Sequence, residues 1–453
     1  MKTIFALLAA CVALSACTKT NSASEMSSST PTQNLYSAKG VEKPVQFRAL
    51  YQTGYTSIEE FKSSEEPVSN WEISQTVRFL FGPLVNRELG GPQRGEKIEI
   101  LKDQAFLQNG FVMVPYNYQA VWLLDRQFPG PSVEFPLPYQ SQMQKSKKWK
   151  KCGDAEPEHQ TSSFFWYFWD PKRFGCDHKE GVDYQIVKLT FGEETQQTTQ
   201  SYPEYQRMIR TVNGEKVLEM TFAFGYVEDS ESPRPFEDQD QGMEAFQAFH
   251  KQVSDALIAR GFVRQSIFQS EYDGSDSLEI GGRFVGMKDG VKVIVSIVAA
   301  AGVDQMVLFA HSYAERKEAF FAWFGHSRVG SGFDAQNFQS MVSSQPEKYS
   351  LTSDYQLIYW AGCNSYSYYT LPFFDMKARL NPAQDPHGTK NLDIISNSLP
   401  SFFYVNSTNA QIMFDALMNW EAPTSYQTII NRLEDAAGSP MVLVNVLGDE
   451  DNR

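Results

Sequence analysis

YQLIYWAGC, residues 355–363, runs apolar for most of its length and then leaves through Ala-Gly into a cysteine. EAFFAWFGHS, residues 318–327, has the same design, with its small residue followed by a histidine. Such runs are too short for a helix and lack polar alternation, which predicts strands buried on both faces. Their surroundings alternate in period. VDQMVLFAHSYAERK (303–317) and DAQNFQSMVSS (334–344) read as helices, and NLDIISNS (391–398) as a third strand. NAQIMFDALMNW (409–420) and YQTIINRLEDAAG (426–438) are helical, and PMVLVNVLG (440–448) is a last strand. Upstream, MEAFQAFHKQVSDALIARG (243–261) spaces Phe246, Phe249, Val253 and Leu257 along one helical face, with His250 half-buried beside them. FVGMKDGVKVIV (284–295) reads as a hairpin turning at Asp289-Gly290. Alternating strands and helices predict an α/β sandwich with a mostly parallel sheet over residues 243–453.

The preceding half has a different texture. VRFLFGPL (77–84), GFVMVPYNYQAVWLLDRQF (110–128) and YQIVKLTFG (184–192) are short apolar or alternating runs separated by turn residues, which predicts a β-rich domain over 46–227. SFFWYFWDP (163–171) reads as core, with an exposed carbohydrate- or peptide-binding face as the alternative. KSKKWKK (145–151) holds five lysines in seven residues and reads as a solvated loop, with attraction to acidic head groups as the alternative. EDSESPRPFEDQDQG (228–242) is acidic and proline-bearing, and is read as the linker between the two halves. With 453 residues, two domains are the default expectation. A net charge of −14 argues against nucleic acid as a main partner.

The chain begins MKTIFALLAACVALSAC, a charged residue and an apolar run too short to favour a spanning helix, ending in small residues. Leu14-Ser15-Ala16-Cys17 resembles the bacterial lipobox. That resemblance implies a signal peptide over 1–16, lipidation (palmitate-type acylation) at Cys17 and a membrane anchor there, with a mature net charge of −15. Thr18, where Asp would retain the protein at the inner membrane, implies the outer membrane, with the body facing the periplasm or the surface. TNSASEMSSSTPTQ cannot bury enough surface to offset ordering entropy, so 17–45 is expected to be a lipidated cysteine and flexible tether.

Of five cysteines, Cys11 leaves with the signal and Cys17 is expected to be acylated. Cys152 and Cys176 bracket one short segment and are expected to form a disulfide in an oxidising envelope. A metal site using Asp154, His159 and His178 is an alternative without a recognisable zinc spacing, and two free thiols a third. No metal or cofactor is assigned. Cys363 is left as the odd thiol.

A right-handed strand–helix–strand crossover sets successive parallel strand ends side by side. His326 and Cys363 then share one edge although distant in sequence. An imidazole beside a thiol can generate the thiolate, and backbone N–H groups near Gly325, Ser327 and Gly362 could stabilise an oxyanion. A strand ending at His326, a helix, and an apolar strand ending Ala-Gly-Cys363 resemble the caspase–gingipain–legumain group of cysteine peptidases and the related CHAT domains, over about residues 290–400. The resemblance implies a caspase-like three-layer fold and a His326–Cys363 dyad acting on a peptide or protein substrate. Ser327 stands where that group usually has Gly, and the caspase QACxG signature is absent. Two other readings stand beside it. Gly325-His326-Ser327-Arg328-Val329 begins like a hydrolase nucleophile elbow, with Ser327 as nucleophile and His387 as the downstream histidine. The other is a non-catalytic, lipid-anchored envelope protein that binds a partner.

Overall fold

Strand alternation builds the first layer. The computed structural model describes residues 35–85, 89–128, 130–140, 151–153, 169–195, 201–227, 234–274, 278–327, 333, 335–438 and 442–448. After a two-residue strand β1 (Leu35–Tyr36) come β2 (Gly40–Gln52), β3 (Gly90–Ile100), β4 (Phe106–Gln108), β5 (Phe111–Asp125), β6 (Ser132–Pro138) and β7 (Tyr184–Phe191). The last six form an antiparallel sheet in the order β3-β5-β2-β7-β6, with β4 paired to β5. In β2, Val45, Phe47, Ala49 and Tyr51 are buried while Gln46 and Arg48 between them face solvent, the period-two pattern of a sheet with one wet face. The β-rich expectation holds here.

The expected tether over 17–45 is too long. Its last residues lie in β2, which pairs with β5 without a break from Gly40↔Asp125 to Gln52↔Met113. The long alternating run of β5 needs a partner of equal length, and the chain supplies it from residue 40 onward. Residues 1–34 lie outside the described residues.

The second layer contains β8 (Arg210–Val212), β9 (Glu215–Phe224), β10 (Val263–Phe268), β11 (Glu279–Lys288), β12 (Val291–Ala299), β13 (Phe320–Phe324), β14 (Gln356–Trp360), β15 (Leu392–Asn397) and β16 (Val444–Leu447). The sheet order is β1-β16-β15-β14-β13-β9-β12-β11-β10, with β8 on β9. The central strands β12, β9, β13, β14 and β15 are parallel, and β16, β11, β10 and β1 are antiparallel to their neighbours. The sheet is therefore mixed, with a parallel centre, rather than mostly parallel. The 284–295 hairpin turns where expected, with Asp289 and Gly290 both at positive φ (51° and 75°) as a two-residue hairpin turn requires.

The domain boundary expected at 228–242 is not found among the described residues. β9 lies upstream of it, yet sits at the centre of the larger sheet between β12 and β13. EKVLEMTFAF has little polar content in its second half, and that half is buried on both faces, as a central strand demands. The acidic stretch is a strand-to-helix connection; residues 228–233 of it lie outside the described residues. Its end is held by Asp240, which accepts from Val227 N at 2.8 Å and caps the Gln241–Ala259 helix through Gly242 N at 2.8 Å. The described residues belong to one compact unit, Gln33–Arg453, around one continuous buried cluster.

Helices cover both faces of the central strands. On one face, Phe222 and Phe224 meet Phe249 of the 241–259 helix, and Phe222 meets Phe414 of the Asn406–Leu417 helix. On the other, Phe309 of the Gln305–Ala310 helix contacts Phe321, Trp360, Phe338 of the Ala335–Ser344 helix and Phe373 of the Thr370–Leu380 helix. Adjacent Phe320 and Phe321 serve opposite faces, which is why the run between 320 and 324 shows no polar alternation.

Candidate functional site

β13 and β14 run parallel in a register that pairs Trp323 with Trp360. His326 lies three residues beyond Trp323, and Cys363 three beyond Trp360, so both leave the sheet at equal height from its carboxyl edge. Pairing continues one step, with Ala361 N donating to Trp323 O at 2.8 Å. Gly362 lets the two exits pack backbone to backbone: a Cβ there would lie 3.1 Å from Gly325 O and 3.3 Å from Ser327 Cβ.

The histidine turn is held from below and from the side. Trp323 Nε1 donates to His326 O at 2.9 Å. The same indole fills the space beside Gly225 and Gly325, where a Cβ would approach it to 2.9 and 2.6 Å. Gly225 N donates to Phe324 O at 2.9 Å, which carries the end of β9 alongside β13. Val227 then presents its carbonyl to the imidazole, and His326 Nε2 donates to it at 3.2 Å. That bond leaves Nδ1 as the acceptor nitrogen of the neutral ring. Phe403 meets the ring edge-on, centroids 5.1 Å apart.

The cysteine turn is a tight strand-to-helix corner. Asn364 adopts a left-handed conformation (φ 52°) and starts the short Ser365–Tyr368 helix. Ser365 Oγ donates to Trp360 O at 2.7 Å and accepts from Asn397 N at 3.0 Å, tying the corner to β15. Asn364 N donates to Leu399 O at 3.3 Å. The Cys363 thiol donates to Ser401 O at 3.8 Å, and burial pushes its pKa up, so at rest it is a protonated thiol.

Register thus brings His326 and Cys363 to one edge, but no hydrogen bond joins them. Each side chain is engaged by the same short segment after β15: Ser401 on the thiol, Phe403 on the imidazole. Asn364, Val227 and that segment are site elements the sequence reading missed. The glycine-poor, aromatic run LPSFFYV following the 391–398 strand was the available signal for the last of these.

Ser327 is buried and makes a backbone bridge to Phe333. Arg328 and Val329 lie outside the described residues. His387 precedes the amino end of β15, whereas Ser327 follows the carboxyl end of β13, so the sheet separates them and the serine triad is not assembled.

Cys152 and Cys176 are disulfide-bonded, with Cα atoms 4.7 Å apart. His178 lies beside them, the three potential ligand atoms falling within 4.8 Å of one another. Its Nδ1 accepts from Trp169 Nε1 at 3.3 Å. The disulfide consumes both sulfurs as ligands; Asp154 and His159 lie outside the described residues. Trp169 is buried against Phe79 and Tyr184, as the core reading of its segment expects, and residues 163–168 are outside the described residues. Of the lysine run only Lys151 is described, in an exposed pair with Asp177 at 3.3 Å. Cys11 and Cys17 lie outside the described residues, and no described helix is long and apolar enough to cross a membrane.

A cavity of about 490 Å³ lined by Arg210, Glu219, Arg316, Lys317 and Asp354 opens at the amino ends of the strands, away from this edge. Compared with protein-family models, curated proteins and solved structures, the chain matches none.

Proposed function

We propose that this chain is an envelope protein, anchored through a lipidated Cys17, with a caspase-like cysteine peptidase centre at His326 and Cys363. The observation that carries the reading is the shared register: neighbouring parallel strands deliver the two residues at equal distances past Trp323 and Trp360. A parallel centre closed by antiparallel β16, with helices on both faces, supports the three-layer sandwich that the family resemblance implies. The crossing from β9 to β13 is where the strand order reverses, and sites in open α/β sheets gather at such a point.

In the proposed reaction the imidazole takes the thiol proton as Sγ attacks a peptide carbonyl carbon. The imidazolium then returns that proton to the leaving amine, and water hydrolyses the thioester to acid and free thiol. Ordinary peptide hydrolysis through this route needs neither metal nor cofactor. A second reading, a non-catalytic binding lipoprotein, draws on the protonated resting thiol and the absence of a bond from it to His326.

A thiol-directed peptidase probe separates the two. The full chain is treated alongside Cys363→Ala, His326→Ala and Ser327→Ala. Labelling at Cys363 that needs His326 and not Ser327 supports the peptidase; no His326-dependent labelling removes it.

A further inference from the structure

The segment between β15 and the 406–417 helix touches both reactive residues. It is held at its start, where Leu399 N donates to Val442 O at 3.2 Å and Leu399 O accepts from Asn364 N. It is held again at its end, where Val405 N donates to Phe402 O at 3.3 Å and Tyr404 Oη donates to Ala437 O at 3.2 Å. Between these points, Pro400 to Phe403 lie half-exposed and Tyr404 is 62% exposed, so this is a strap across the surface. Its contacts follow an order. The Ser401 carbonyl sits at the thiol, and Phe403, two residues on, sits against the imidazole.

A substrate chain would make the same two contacts in the same order. The carbonyl under attack lies at the sulfur, and the residues after it lie on the side of the imidazole that protonates the departing amine. We propose that the strap Pro400–Tyr404 occupies the peptide channel of the His326–Cys363 centre as a built-in pseudosubstrate, and that the substrate displacing it carries an aromatic side chain two residues past the scissile carbonyl. The proposal rests on the peptidase reading for the word substrate, but not for the strap's control of access. The strap is spared cleavage by its geometry, because the thiol faces the carbonyl oxygen as a hydrogen-bond donor and not the carbon. Polar atoms around it await partners. Asn364 Oδ1, next to the cysteine, and Asn406 Oδ1, at the strap's end, belong to buried residues and have no hydrogen-bond partner in the structure. Backbone N–H groups of an entering chain are donors of the type these oxygens lack.

The test follows the thiol and not turnover. The full chain is exposed to iodoacetamide under native conditions, and the alkylated fraction of Cys363 is measured by peptide mass over time. Phe403→Ala and Pro400→Gly are compared with the parent, and the melting temperature of each is recorded. The expected result is slow alkylation of the parent and at least tenfold faster alkylation of either variant that melts within a few degrees of it. A peptide Pro-Ser-Phe-Phe-Tyr should protect Cys363 in the variants, and Pro-Ser-Phe-Ala-Tyr should not. An unchanged rate in a variant that keeps its fold overturns the strap. Equal protection by the two peptides overturns the aromatic preference. Faster alkylation without His326-dependent probe labelling would remove the peptidase and leave the strap; the reverse pattern would remove the strap and leave the peptidase.

Discussion

Replacing His250 with leucine should make the protein more acid-resistant, by an amount the structure bounds. His250 is on the 241–259 helix, enclosed by the rings of Phe236, Phe246 and Phe284. Its Nδ1 has only a long contact, 3.4 Å, to Ser254 Oγ, and its Nε2 has no partner. Burial, helped by Arg264 and opposed by Glu279, lowers the imidazole pKa to about 4. Because the folded-state value lies below the unfolded one, the unfolded chain binds more protons between about pH 6.5 and 4. Stability therefore falls as pH drops through that window. At pH 4.5 the difference corresponds to about 2.5 kcal/mol, which partial exposure reduces to about 2 kcal/mol. Urea unfolding of parent and His250→Leu at pH 7 and pH 4.5 isolates this contribution, since the other titrating groups are common to both. The parent should lose about 2 kcal/mol more than the variant on acidification. Parallel losses in the two proteins would refute the reasoning and mean that the ring is protonated without penalty in the fold.

Gly362→Ala forces a methyl group to 3.1 Å from Gly325 O and should cost about 1–2 kcal/mol by overpacking, with loss of His326-dependent probe labelling; denaturant midpoints and probe mass shifts check it. Trp323→Phe removes the bond to His326 O while keeping most of the ring volume, and should reduce the labelling rate about tenfold, from a loss of roughly 1–1.5 kcal/mol in positioning the turn. Cys152→Ser opens a disulfide whose partners are 24 positions apart, and should lower stability by about 3 kcal/mol in a thermal or urea melt. Reduction of the parent should reproduce that shift without added metal.

The strands on either side of the site were legible because burial on both faces leaves an unmistakable record. FFAWF has no polar position and QLIYW only its first, Gln356, so no alternation confuses the period, and their residues are wholly buried. The hairpin at Asp289-Gly290 was legible for a local reason, since its two residue types tolerate positive φ. What the sequence hid was non-local. The apolar second half of EKVLEMTFAF asks for burial on both faces but does not name its neighbours, so its place between β12 and β13 was hidden. The nearest polar residues to β2, in the stretch before it, likewise masked a strand whose identity is fixed by its partner β5. At the site, spacing placed His326 and Cys363 at one edge, and the register agrees. The strap was invisible because its role comes from contacts made across the fold by Ser401 and Phe403, residues whose types alone suggest only a loop with a greasy side.

The pairing of β1 with β16 has a bearing on how the chain is made. Leu35 lies against Val446 and Tyr36 against Asn445, and the Ser37 hydroxyl reaches the buried carboxylate of Glu434. β1 therefore leaves a ribosome long before β16, the strand that pairs with it. Contacts this distant in sequence carry a large loop-closure cost and slow the final step of folding. Until β16 arrives, the edge of β15 that it covers presents unpaired N–H and C=O groups, a template for stray strands. A chain that lacks β16 would keep nearly all of its core and still leave β1 without the strand it pairs with.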